Sequence, residues 1–172
     1  MMPVLTIALD AMGGDIGPPI ILSGAIKALQ HYSNLHIIAC GDATTINQIT
    51  QELSSDIASR ITVQHCQDES TTQDKPSFVL RHKKYAAMRR AIELVKDSRA
   101  DACVSAGNTG ALFALASFIL KTLPGIDRPA LITSLPTQAT QPVWLLDLGA
   151  NVSHDAEPLF QNAVMGAVLV QH

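Results

Sequence analysis

The sequence predicts an α/β fold, a three-layer α/β/α sandwich around a mostly parallel sheet, and three observations predict it. Short apolar runs alternate with longer stretches of helical period along the chain, and that alternation builds parallel sheets covered on both faces. The composition is 47% hydrophobic yet only 4% aromatic, which suits the Ile, Leu, Val and Ala of buried parallel strands. At 172 residues the chain is long enough for an α/β domain with a sizeable core.

The elements follow in order. Val4–Asp10 is an apolar run stopped by an acid and a glycine cluster, and reads as the first strand. Pro18 and Pro19 suit the first turn of a helix, read over Pro19–Tyr32. Leu35–Cys40 and Ile61–His65 read as strands, with a helix over Thr44–Leu53 between them. In the next helix, Ser77–Lys96, Met88, Ala91, Ile92 and Val95 fall at i, i+3, i+4 and i+7, one buried stripe. Ala102–Ser105 is a short strand that runs through a glycine-rich turn into a helix over Thr109–Thr122. Strands over Ala130–Leu135 and Val143–Asp147 and a helix over Glu157–Val170 complete the pattern, with polar loops at Gln67–Lys75 and Thr137–Gln141. That last helix is apolar and has no cap or turn after Val170. The expectation is therefore that the chain is a fragment of a longer protein.

Composition excludes several classes. A charged fraction of 16% beside so much apolar residue argues against disorder, and a net charge of −3 makes no general case for nucleic-acid binding. Cys40, Cys66 and Cys103 are too few and too scattered for a disulfide framework and read as buried thiols in a reducing compartment. The start lacks a secretory signal, and the longest apolar run, Ala111–Leu120, falls short of the roughly 20 residues of a membrane span. Cytoplasmic location is the expectation. The six histidines make no metal-ligand spacing with the cysteines, and neither a serine-nucleophile elbow nor a common nucleotide fingerprint occurs. No metal or cofactor is expected.

Three strand-to-helix junctions carry the chemical signal. The first, Asp10-Ala11-Met12-Gly13-Gly14-Asp15, allows close backbone approach to a ligand, or equally a tight turn with two capping aspartates. The second, Ser105-Ala106-Gly107-Asn108-Thr109-Gly110, leaves N–H groups at a helix start, where the dipole favours an anion such as phosphate. Asn108 or Thr109 can cap that helix, but the remaining polar groups exceed what a cap needs. The third, Leu146-Asp147-Leu148-Gly149-Ala150-Asn151, ends another strand with acid, glycine and amide. Ligands of open α/β sheets bind beyond the carboxyl ends of the strands, so the three are expected to share one pocket. Seven of the twelve Lys and Arg lie between Arg81 and Arg99, as a solvated helix face or as a docking surface for an acidic partner.

Ala8–Asp15, Val104–Leu112, Gly125–Leu131 and Leu146–Asn151 stand in the order found in the PlsX family of bacterial phosphate acyltransferases, and the sequence resembles that family over nearly its whole length. The resemblance implies transfer of a fatty acyl group from acyl carrier protein to inorganic phosphate, giving acyl phosphate for phospholipid synthesis. It also implies a homodimer, a fold similar to phosphate acetyltransferases and isopropylmalate dehydrogenases, and residues 1–172 as the N-terminal portion of a single α/β acyltransferase domain. Any contact with the inner face of the membrane would come from the family's other half. Lys84, Asn108 and Asp147 are the candidate catalytic residues. Asp10, Gly13, Gly14, Asp15, Ser105, Gly107, Thr109, Gly110, Arg128 and Asn151 are the candidate substrate-binding residues. Lys84 or Arg128 would neutralise phosphate charge, and the aspartates would orient cations or loop N–H groups, or accept a proton. Ala86-Ala87 and Ser153-His154 depart from the family pattern. The alternatives are an acyl-CoA enzyme of the phosphate acetyltransferase kind and a dinucleotide-binding dehydrogenase with Asp42 on the ribose.

Overall fold

The computed structural model describes residues 3–67, 86–138, 141–149 and 155–171. The chain forms two compact units, Met1–Leu120 and Lys121–His172. In the first, strands β1 (Leu5–Asp10), β2 (Leu35–Gly41), β3 (Ile61–His65) and β4 (Ala102–Val104) make one parallel sheet in the order β3-β2-β1-β4. Among the described residues, helices α1 (Pro18–His31), α2 (Ala43–Thr50), α3 (Ser55–Ala58), α4 (Ala87–Lys96) and α5 (Thr109–Leu120) belong to this unit.

Side-chain alternation sorts the strands onto two faces. Leu9, Ala11, Leu35, Ile37 and Ala39 pack against Leu22, Ala25 and Leu29 of α1, Ile46 of α2 and Ile57 of α3. Their neighbours Ala8, Ile38 and Cys40 meet Ala87, Ala91 and Leu94 of α4 on the opposite face. Helices thus cover both faces, and each fully buried Leu or Ile contributes about 1.5–3 kcal/mol. The α4 stripe divides, because Met88 and Ile92 pack with Ala111, Leu115 and Ile119 of α5, with Cys103 of β4 against them.

Some boundaries differ from expectation. α2 stops at Thr50, whose hydroxyl donates back to the Ile46 carbonyl at 3.0 Å, and the unforeseen single turn α3 follows. Polar residues hide α3 in the sequence; burial of Ile57 holds it. Arg60, just beyond it, bonds Asp56 and the carbonyls of Leu29 and Tyr32 at the end of α1. α4 begins at Ala87, and the expected first part of that helix lies outside the described residues.

In the second unit β5 (Ile132–Leu135) and β6 (Val143–Leu146) pair antiparallel, and α6 (Ala156–Leu169) follows. The mostly parallel sheet that was expected stands in the first unit, and this pair forms a sheet of its own. Residues 136–142 are all that join the two strands, and a parallel crossover needs a dozen or more.

Candidate active site

The first two glycine junctions interlock at the carboxyl ends of β1 and β4. β1 delivers Asp10, 2% exposed, at its last position. The Ser105 hydroxyl, just past β4, donates to Asp10 Oδ2 at 2.6 Å and accepts the Gly107 N–H at 3.1 Å. Asp10 Oδ1 accepts the Met12 N–H at 3.3 Å. One buried carboxylate therefore ties both loops together. Burial pushes its pKa above the ordinary carboxylate value, against the opposing effect of the Ser105, Met12 and Gly13 hydrogen bonds.

The glycines are explained by space. A Cβ at Gly13 would stand 2.9 Å from the Gly107 nitrogen and 3.0 Å from Asp10 Oδ2. A Cβ at Gly107 would meet Met88 Cε at 2.5 Å and Ser105 Oγ at 3.2 Å. Gly14, at φ 76°, turns the first loop beside Ala106. Asn108 Oδ1 accepts the Ala111 N–H at 2.9 Å and caps α5. Thr109 and Gly110 are exposed in the first turn of α5, where N–H groups lack intrahelical acceptors. The exposed N–H groups of this first turn are suited to an anion. Asp15 is exposed nearby in the chain.

Other sequence candidates are placed elsewhere. Asp147 and Arg128 belong to the second unit. Asp147 has φ 61°, and its N–H donates to the Leu131 carbonyl at 2.6 Å. Arg128 is exposed and lines a cavity of about 370 Å³ with Asp127, Asp155 and Glu157, which is acidic company for a phosphate ligand. Lys84 and Asn151 lie outside the described residues. Arg89 and Arg90 both reach Glu93, at 3.0 and 3.4 Å, so part of their charge is met on the helix itself. Asp42 caps α2 through Thr45, with its carboxyl held low by the Thr45 hydroxyl and N–H. Its carboxylate already serves the helix, which weakens the ribose-binding alternative. Among the described residues no group of His, Cys, Asp and Glu could hold a metal ion.

Two contributors escaped sequence reasoning. Met88, 2% exposed, packs behind Gly107; its place in the helical stripe marked it as core but gave no sign of the loop. Gln161, 5% exposed, exchanges two hydrogen bonds with Asp127, at 2.8 and 2.9 Å. The adjacent amides Gln161-Asn162 in an otherwise apolar helix were the signal available.

A family model described as "Fatty acid synthesis protein" matches residues 5–172. The chain belongs to this family. It is 55% identical over 170 residues to a phosphate acyltransferase of Shewanella sp. (strain W3-18-1) and 51% identical to one of Vibrio parahaemolyticus. Each match covers 99% of this chain and 50% of the relative, so the chain spans about half the length of these curated relatives. The family resemblance read from the four motifs holds. A branched-chain phosphotransacylase from Enterococcus faecalis V583 shares the fold with a TM-score of 0.62 at 16% identity, over 97% of this chain and 51% of that one. That supports the α/β architecture with a parallel sheet. Among the described residues no helix is long and apolar enough to cross a membrane.

Proposed function

We propose that this family member serves an acyltransferase that moves a fatty acyl group from acyl carrier protein to inorganic phosphate, giving acyl phosphate and free carrier protein. The observation that carries the reading is the interlock of Gly13 with Gly107 around Asp10 and Ser105, in a chain whose relatives are phosphate acyltransferases. Phosphate is a competent nucleophile and a thioester has a good leaving group, so no covalent enzyme intermediate is needed. The protein's work is to place a phosphate oxygen against the thioester carbonyl and to stabilise the oxyanion that forms.

The N–H groups at the start of α5 supply donors for phosphate, and Asn108 fixes their direction by capping the helix. Asp10, with its raised pKa, holds Ser105 and the Met12 N–H in place, and can take a proton as phosphate binds. Lys84 would oppose phosphate charge. Carrier protein would dock on the basic segment that includes Arg89 and Arg90. A homodimer, a cytoplasmic setting and peripheral membrane contact through the other half belong to the same reading.

The test is an acyl phosphate assay on the enzyme at the full length of its relatives, comparing acyl carrier protein with CoA donors and omitting phosphate. Carrier-protein donors and strict phosphate dependence are expected, with Gly107→Val losing about 100-fold or more in turnover, the cost of an ångström of misplacement. Preference for CoA would move the reading to the acyl-CoA class. Near-normal turnover in Gly107→Val would remove the loop from the site.

A further inference from the structure

The sheet brings Cys40 and Cys66 to one face beside the first glycine loop, where Cys40 pairs with Asp10, its carbonyl accepts the Ala11 N–H at 2.9 Å, and Met12 packs into the same cluster. Cys40 lies opposite Gln64 in the β2–β3 register, and Cys66 stands two residues further along. Period-2 alternation puts both on the α4 side of the sheet, where both join the cluster around Ala87, Ala91 and Leu94. They differ in access. Cys40 is fully buried, whereas Cys66 is half-buried and lines a cavity of about 660 Å³ with His65, Arg89, Arg90 and Glu93. Cys103 shares the face but pairs with Ala8, so β1 separates it from Cys40.

We propose that Cys66 is a peroxide-reactive thiol and that Cys40 is its resolving partner, closing a disulfide between the end of β3 and β2. A thiol open to a cavity, beside a guanidinium and backed by a second thiol, is the arrangement of a redox-sensitive cysteine. The contact between the thiols and the Arg90 charge hold Cys66 below its ordinary range; the same contact and burial push Cys40 up. In the first step the Cys66 thiolate attacks hydrogen peroxide, the O–O bond breaks, and hydroxide leaves as the sulfur becomes a sulfenic acid. In the second, the Cys40 sulfur attacks the Cys66 sulfur, the S–O bond breaks, and the oxygen departs with a proton as water. Peroxide is thereby reduced and the thiol pair oxidised.

Strand spacing and rise put diagonal neighbours about 8 Å apart at Cα. A disulfide spans roughly 4.4–6.8 Å, so closure draws the chain at Cys66 inward by about 1–3 Å. Cys66 lies one residue beyond β3 and keeps one backbone bond to that sheet, to the Gly41 carbonyl at 2.9 Å, so it is placed to give way. A bond formed under such strain is readily reduced again.

The experiment is brief peroxide treatment of the native protein, followed by peptide mass spectrometry and by timed iodoacetamide labelling of the reduced form. Cys66 should alkylate about tenfold or more faster than Cys103. Peroxide should yield a peptide linking Cys40 to Cys66, released by dithiothreitol, and Cys103→Ala should leave that link intact. Cys40→Ser should trap the Cys66 sulfenic acid for dimedone. Equal labelling of Cys66 and Cys103 overturns the proposal, as does peroxide oxidation of the wild type with no Cys40–Cys66 link. Both deciding readouts use the wild type, so they stand whether or not a variant folds.

Discussion

At Gly13 a side chain would collide with the backbone nitrogen of Gly107, 2.9 Å away, whereas at Gly149 it would meet no atom within 4 Å. Gly149 is needed for its angle, φ 80°, in a turn next to Asp147, which itself sits at φ 61°. The two junctions read alike in sequence, each a strand end with acid and glycine. In the first unit glycine makes room for a second loop; in the second it makes a turn. The same letters therefore serve close approach in one place and conformation in the other, and substitution can tell the two apart.

The largest effect is expected at Gly13→Ala. Neither the Gly107 backbone nor the bonded Asp10 carboxylate can move freely, so overpacking should cost about 1–3 kcal/mol in denaturant unfolding and abolish phosphate-dependent stabilisation. Gly149→Ala should cost about 1–2 kcal/mol, the penalty of a left-handed residue, while Gly149→Asn recovers much of it because asparagine tolerates that angle. If Gly13→Asn were tolerated as well as Gly149→Asn, the distinction would collapse.

The smallest effect concerns pH. The pKa of Asp10 is raised in the folded protein, so the native state binds its proton more tightly than the unfolded chain does. Stability from this group is fully present below the unfolded value of 3.8 and is lost as pH rises through the folded value. Asp10→Asn should flatten that fall in a series of melts across the acidic range, and an unchanged slope would show that the carboxyl titrates normally.

How much of this was legible beforehand follows from the range of the interactions. The strands β1 to β3 and helices α1 and α5 were readable to within a residue or three, because apolar runs and caps are local. The antiparallel pairing of β5 with β6 was not singled out, since strand direction depends on the connection and not on the strand's own residues. α3 was missed because one buried Ile57 among polar neighbours gives no period. For the site, the glycine loops and their convergence beyond the strand ends were expected from sequence, and the individual contacts between them were not. Asp10 and Ser105 are 95 positions apart, and the role of Met88 behind Gly107 depends on how α4 packs against α5.

The short strand β4 is clamped to β1 at both ends. Thr6 and Asp101 exchange hydrogen bonds at 2.8 Å at its start, and Asp10 takes the Ser105 hydroxyl at its finish. Each clamp closes a loop of 95 residues, so neither forms until most of the first unit is in place. Loop closure of that length is among the slower steps of folding. The glycine loops should therefore be the last part of the unit to assemble and the first to report its loss. A ligand bound there gains nothing from partly folded forms, so its binding energy should act on the unit's whole unfolding equilibrium.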